Sequence, residues 1–340
     1  MPRAAVFKLT YLGTDITNEI NPLTLQIAYT DNLEGEADDL AIALLNSDLR
    51  WLDTWLPAEG DRVALELGYE GEARLGPVQF EVDEPEWSGM PDGFKLQAQA
   101  VPLTSSLRER RSQAYENTTL RAIASRIAEK HGLELVGEIP NIRFKRLSQS
   151  EQTDLEFLRE TAAEYGLLFK IEGTTRLVFF QESDLEAAAP VLTVKRTEMA
   201  NYRLRRSASG TYKAATVSYQ NAESGEFIEV TIDLNGAEVP KPKDGQEGAI
   251  ASESILRIRE RVESRAQARL KAVAALKRAN SARVELDFEA EGNVLFAAGS
   301  CFTLEGFKRL DGKYLLSRVR HQLDKGRGYR CSVEARKVEG

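Results

Sequence analysis

Two stretches near opposite ends of the chain share one layout, and nothing else in the sequence constrains the fold as much. Gly60 to Tyr69 reads GDRVALELGY, and Gly299 to Phe307 reads GSCFTLEGF. Each opens on glycine, skips two residues, alternates apolar with polar or small positions, and closes on glycine and an aromatic. The first continues into GPVQFEV and, after a loop, GFKLQA; the second continues into GKYLLSRV and, after a loop, GYRCSVEA. Alternation at period two buries one face of a segment and leaves the other in water, as in a half-buried strand. The order strand, strand, loop, strand, with glycines at the joints, therefore occurs twice. It predicts two related β domains, one at each end of the chain.

The remainder of the first hundred residues fits a β reading. Phe7, Leu9 and Tyr11 alternate, as do Leu23, Leu25 and Ile27, and Asp92-Gly93 marks a tight turn. Asp31 to Asp39, DNLEGEADD, reads as a solvated acidic loop; it lacks the alternating ligands and closing glutamate of an EF-hand.

The middle is mixed. In NTTLRAIASRIAEKHG, Leu120, Ile123 and Ile127 fall at helical spacing, Asn117 or Thr118 offers an N-cap, and Gly132 a stop. The stretch SQSEQTDLEFLRETAAEYGLLFKIEGTTRLVFF, Ser148 to Phe180, repeats that design. Thr153 and Glu156 form a capping box, Leu155, Leu158, Ala162 and Tyr165 an apolar stripe, and Gly166 ends the helix. Two strands, Leu167 to Ile171 and Leu177 to Phe180, follow as a hairpin. Further on, Asn235 to Gly248 reads as a flexible loop.

A long helix is expected over residues 252–282, with Ile255, Ile258, Val262, Ala266, Leu270, Val273 and Leu276 as its apolar stripe. Arg257, Arg261, Arg265 and Arg269 would then form a like-charge stripe beside it, each pair repelling by a few tenths of a kcal/mol. Acids of the same chain or of a neighbouring subunit would offset that cost. The whole reads as β-rich α+β: a β domain over 1–104, an α+β domain over 105–198, and a second β domain with the long helix over 199–340.

Several function classes find no footing. The 340 residues carry a net charge of -8, so no global basic field would hold nucleic acid or an anionic membrane. No run approaches the roughly 18 apolar residues of a membrane helix, and MPRAAVFKLTYLGTDITNEI has no apolar core of a signal peptide. A protein made in the cytoplasm without a leader is expected. Cys301 and Cys331 lie on strands that could be neighbours, so a bridge and two reduced thiols both stand open. His131 and His321 are the only histidines, and no G-x-S-x-G elbow occurs. Glu156, Glu160 and Glu164 share a solvated helix face, whereas a catalytic acid pair spans a cleft about 5 to 10 Å wide. No catalytic, cofactor or metal constellation emerges, and a non-enzyme is expected.

The run QSEQTDLEFLRETAAEYGLLFKIEG, followed by LVFF, resembles phage late control protein D and the N-terminal hub region of VgrG-type spikes of type VI secretion. The positions that carry the likeness are Asp154, Leu155, Phe157, Leu158, Tyr165 and Gly166. It continues through Arg265 to Leu270, the glycine-bounded strand from Gly299 to Gly306, and DGKYLLSRVRHQLDKGRGY. The resemblance implies the baseplate hub of a contractile injection system, in a phage tail or a tail-like bacteriocin such as a pyocin. In that family two tube-like β-barrels per subunit, in a homotrimer, present six barrels in a pseudo-sixfold ring. The ring joins a hexameric tail tube, or its initiator, to a trimeric central spike, alongside other baseplate proteins. It implies neither a membrane anchor, nor specific nucleic acid binding, nor a cofactor. A peptidoglycan-degrading tail enzyme is the alternative.

Overall fold

The computed structural model describes residues 3–338, except 35–36, 101–108, 173, 208–211, 221–224, 226, 241–249, 251–253 and 282. Most of the loop expected over Asn235 to Gly248 lies outside the described residues. The first part carries β1 (Ala5–Tyr11), β2 (Thr14–Asp15), the single turn α1 (Thr17–Ile20), β3 (Thr24–Asn32), β4 (Asp39–Leu45), β5 (Arg62–Tyr69), β6 (Arg74–Ser88) and β7 (Gly93–Gln99). The middle carries β8 (Arg111–Thr119), α2 (Leu120–Lys130), β9 (Glu134–Val136), β10 (Arg143–Gln152), α3 (Asp154–Ala163), β11 (Leu167–Glu172), β12 (Arg176–Gln181) and α4 (Glu182–Ala187). The last part carries β13 (Leu192–Lys195), β14 (Met199–Arg206), β15 (Ala214–Gln220), β16 (Phe227–Asp233), β17 (Ile255–Ile258), α5 (Arg265–Ser281), β18 (Val284–Glu291), β19 (Cys301–Glu305), β20 (Gly312–Asp324) and β21 (Gly328–Lys337).

The sequence echo is realised as two antiparallel meanders, β5-β6-β7 and β19-β20-β21. The likeness reaches further than the echo. The neighbours run β3-β4-β7-β6-β5-β1 in one six-strand unit and β14-β18-β21-β20-β19-β13 in the other. One difference stands out: β1 runs antiparallel to β5, whereas β13 runs parallel to β19. The two units are not separate ladders. β19 covers only the start of the long strand β20, and β3 pairs with its remainder, Arg318 to Asp324. Twelve unit strands and β2 thus make one 13-stranded sheet.

Inward residues of both units fuse into one core, in which Ile27, Phe80 and Phe94 belong to the same cluster as Phe288, Phe302 and Tyr314. Fully burying one such side chain stabilises by about 1.5–3 kcal/mol. The expected face of Leu23, Leu25 and Ile27 is broken: a bulge between Thr24 and Gln26 turns Leu25 outward, leaving it 41% exposed.

The middle elements form their own core around Leu120, Ile123, Phe157, Leu158 and Leu177. Both helices stop as expected, at Gly132 and Gly166, whose φ of 67° and 72° a side chain would resist. The capping box of Thr153 and Glu156 is present on α3. The cap of α2 is Thr119, whose hydroxyl accepts from Ala122 N; Asn117 and Thr118 belong to β8 instead. The hairpin β11-β12 takes β9 as a third, parallel strand.

Between β14 and β18 in chain order come the strands of a small separate sheet, β16-β15-β17, with α5 packed on it. Here the expected helix over 252–282 is corrected. Ile255 to Ile258 run parallel to β15 as a strand, and the helix starts only at Arg265. An open strand edge outcompeted helical spacing in that window. The packed face of α5 is Ala268, Ala272 and Leu276, while Leu270 is turned outward. Among the described residues, no helix is long and apolar enough to cross a membrane.

Candidate assembly surface

The large sheet has a second face, and that face is polar. Asp287 stands opposite Arg203 on one side and Glu334 on the other, and Glu334 stands opposite Arg318. Two registers on, Arg320 of one unit meets Thr30 of the other, which in turn meets Asp39. The polar face therefore crosses the junction of the units without interruption. It mixes charges of both signs, so it attracts no single class of ion as a whole.

Buried polar links hold the other elements against this sheet. The Lys170 ammonium on β11 lies 2.7 Å from Asp31 and 3.0 Å from Asp38. Asp31 also accepts from Ala298 N at 2.8 Å. The expected solvated acidic loop is thus corrected: Asp31 ends a strand and Asp38 precedes one, and both are buried anchors of the middle elements. Burial raises the Asp38 carboxyl to about 6; Lys170 opposes that rise and Asp31 adds to it. On α4, Glu182 and Glu186 reach Arg336 of β21 at 2.5 and 2.7 Å.

Asp154 is the other anchor, 1% exposed. It meets Lys130 at 2.6 Å, His131 at 2.9 Å and the Gln149 amide at 3.1 Å. Burial alone would raise its carboxyl, but these donors outweigh burial and hold it below the ordinary carboxylate range. Of the other motif positions, Phe157, Leu158 and Tyr165 are buried, Leu155 is partly buried, and Gly166 closes the helix. The remaining acids of this stretch serve structure too. Glu156 caps the helix, Glu160 accepts from Gln152 at 2.5 Å, and Glu164 meets Lys271 of α5 at 2.8 Å.

The four arginines singled out for a subunit contact do not form a stripe. Arg257 lies on β17, Arg261 precedes the helix, and only Arg265 and Arg269 are on α5. Arg261 lies 3.8 Å from Glu263, Arg265 pairs with Glu238, and Arg269 donates to the Gly236 carbonyl at 3.0 Å. These are contacts within the chain. Both cysteines are free and buried, on strands separated by β20 rather than adjacent. Burial raises both thiols, Cys331 to about 11.

One largely exposed strand of the sheet was not singled out by sequence. β14, MANYRLRR, is the end of the ladder and carries Arg203, Arg205 and Arg206 with no acid. Three arginines within four residues of an alternating segment were the available signal.

A family model described as phage tail baseplate hub (GPD) matches residues 79–326. The chain belongs to the phage tail baseplate hub family. Two probable baseplate hub proteins, of Escherichia phages 186 and P2, are each 28% identical to it. The matches extend over 221 and 211 residues, or 64% and 60% of this chain. They cover 56% and 54% of the relatives, so the chain spans about half the length of the curated relatives it matches. The hub fold also recurs in a 43 kDa tail protein of prophage MuSo2 from Shewanella oneidensis, at 15% identity and TM-score 0.68 over 98% of both chains. A tail protein of Neisseria meningitidis MC58 has the same TM-score at 13% identity, covering 98% of this chain and 97% of its own. An Escherichia coli type VI secretion component, described as similar to T4 tail proteins gp27 and gp5, reaches 0.57 at 13% identity, over 92% of this chain and 73% of that one.

Proposed function

We propose that this hub protein acts as a homotrimeric ring in the baseplate of a contractile tail, joining the tail tube to the central spike. The observation that carries the reading is the repeated six-strand order within one sheet. Three copies of a chain with two similar units present six similar units, which matches a sixfold tube on one side and a threefold spike on the other. Each unit would count as one tube-like barrel wall, with the middle elements and α5 set outside it. The polar sheet face would line the lumen, where mixed charge lets water and cargo pass without a fixed binding site. Membership of the hub family supports the baseplate as its location, with tube or tube-initiator, spike and other baseplate proteins as partners. The tail-enzyme alternative has no observation in its favour, since the candidate acids cap a helix or anchor it.

Light scattering of the purified chain, alone and with the neighbouring spike protein, tests this. Three copies per particle are expected. A chain that stays monomeric even with the spike contradicts the reading.

A further inference from the structure

The duplicated fold uses one contact inside the chain and leaves its counterpart open. Within the chain, β3 of the first unit pairs with the last seven residues of β20 in the second. The counterpart of β3 is β14, and that of β20 is β6. Among the described residues β14 ends the ladder, with β18 on one side and no strand on the other. On β6, β5 pairs no further than Glu81, and Val82 is bonded to Gly60 and Asp61. From Asp83 to Ser88 the strand has β7 on one side and, among the described residues, no strand on the other. Pro85 lies in this segment, and proline is confined to edges of sheets.

We infer that β14 of one copy pairs antiparallel with the Asp83–Ser88 segment of the next copy, repeating the β3–β20 contact between chains. This rests on the homotrimer reading and deepens it by naming the surface, its register and its occupant, a second copy of this chain.

The internal match sets the register. Gly93-Phe94 and Gly328-Tyr329 open β7 and β21, and they pair with Ser88-Trp87 and Asp324-Leu323. Counting back, Glu84 occupies the place of Arg320. Gln99 and Glu334 stand equally far along β7 and β21; through Asp39 and Asp287 they lead to Thr30 and Arg203. Arg203 therefore occupies the place of Thr30. Because Arg320 stands opposite Thr30, Glu84 falls opposite Arg203 of the neighbour.

The chemistry fits that register. β14 is basic, with Arg203, Arg205 and Arg206, whereas the β6 segment holds Asp83, Glu84 and Glu86. Arg203 and Glu84 are both exposed. Opposite charges across a ladder stabilise and like charges oppose pairing. On the apolar side, His321 stacks on Tyr29 at 5.8 Å within the chain. The matching pair between chains is Pro85 and Tyr202, and Tyr202 is 48% exposed in the single chain. Bare strand edges invite such pairing, and a head-to-tail contact repeated three times closes a ring.

Charge exchange tests the contact. Glu84→Arg or Arg203→Glu alone should raise the concentration needed for assembly by about tenfold or more, as like charges meet at every interface. The double variant E84R/R203E, which restores an opposite pair, should assemble like the parent. Mixing the two single variants should restore assembly in part, since both contacts between unlike chains are matched and a ring of three then carries one mismatched contact instead of three. Far-ultraviolet dichroism and melting temperature check that each variant folds. As a second arm, Glu84→Cys with Arg203→Cys should, on oxidation, give bands ending at three chains on a non-reducing gel; Cys301 and Cys331 are too buried to compete. Parent-like assembly of both single variants, or a trimer that forms no such bands, overturns this pairing and leaves the homotrimer standing. A parent chain that is monomeric overturns the homotrimer and the pairing with it.

Discussion

His321 is fully buried among Tyr29, Tyr329, Cys331 and the Phe296 carbonyl. The carbonyl can only accept, so Nε2 carries the proton and Nδ1 accepts from the Tyr329 hydroxyl at 2.7 Å. Burial lowers this imidazole from 6.5 to about 4, with Asp31 opposing the drop. A depressed histidine stabilises fully above its unfolded value and loses that contribution as pH falls towards the folded one. Between pH 7 and 4.5 the stability advantage of the parent over His321→Gln should shrink by about 2–3 kcal/mol, at 1.36 kcal/mol per unit. Asp38, raised to about 6, titrates in the same window with the opposite sign; comparing two proteins that both carry it cancels its share. Urea midpoints at each pH measure the difference, and a gap that stays constant contradicts a neutral buried imidazole. Asp154→Ala strands Lys130 and His131 and should cost about 3 kcal/mol at neutral pH. The sequence marks Asp154 as a motif position, yet its burial was not legible. Its partners come from α2 and β10, and only tertiary packing brings them to it.

Elements with local signals were legible and those decided by an edge were not. Strand alternation in β5, β6, β7, β19, β20 and β21 lies within each segment, and so does the capping box of α3. The window SILRIRERVESRA suits a helix or a strand by spacing alone. The vacant side of β15 drew Ile255 to Ile258 into a sheet, and with that the arginine stripe dissolved. Arg261→Glu with Arg265→Glu now breaks only pairs whose arginines are exposed. It should cost under about 1 kcal/mol in thermal unfolding. Gly137 shows the opposite sensitivity. At φ 97° its missing Cβ would sit 2.0 Å from the Phe179 carbonyl oxygen. Gly137→Ala should destabilise the β9–β12 sheet by about 2 kcal/mol or more, read as an earlier urea transition.

At the scale of the molecule, the duplication was legible because it repeats glycines and alternation in order. The joining of the two units was not, because β3 and β20 are nearly 300 residues apart and pairing partners leave no local mark. Nor was the insertion of β15, β16, β17 and α5 between two neighbouring strands of the second unit. On the proposed function, the repeated order would make a ring of three chains look sixfold. Electron-microscope averages of the purified particle viewed along its axis examine that claim directly. Six lobes of two alternating kinds with threefold symmetry around an open centre are expected. Single-chain particles, or rings with any other number of lobes, would contradict the account.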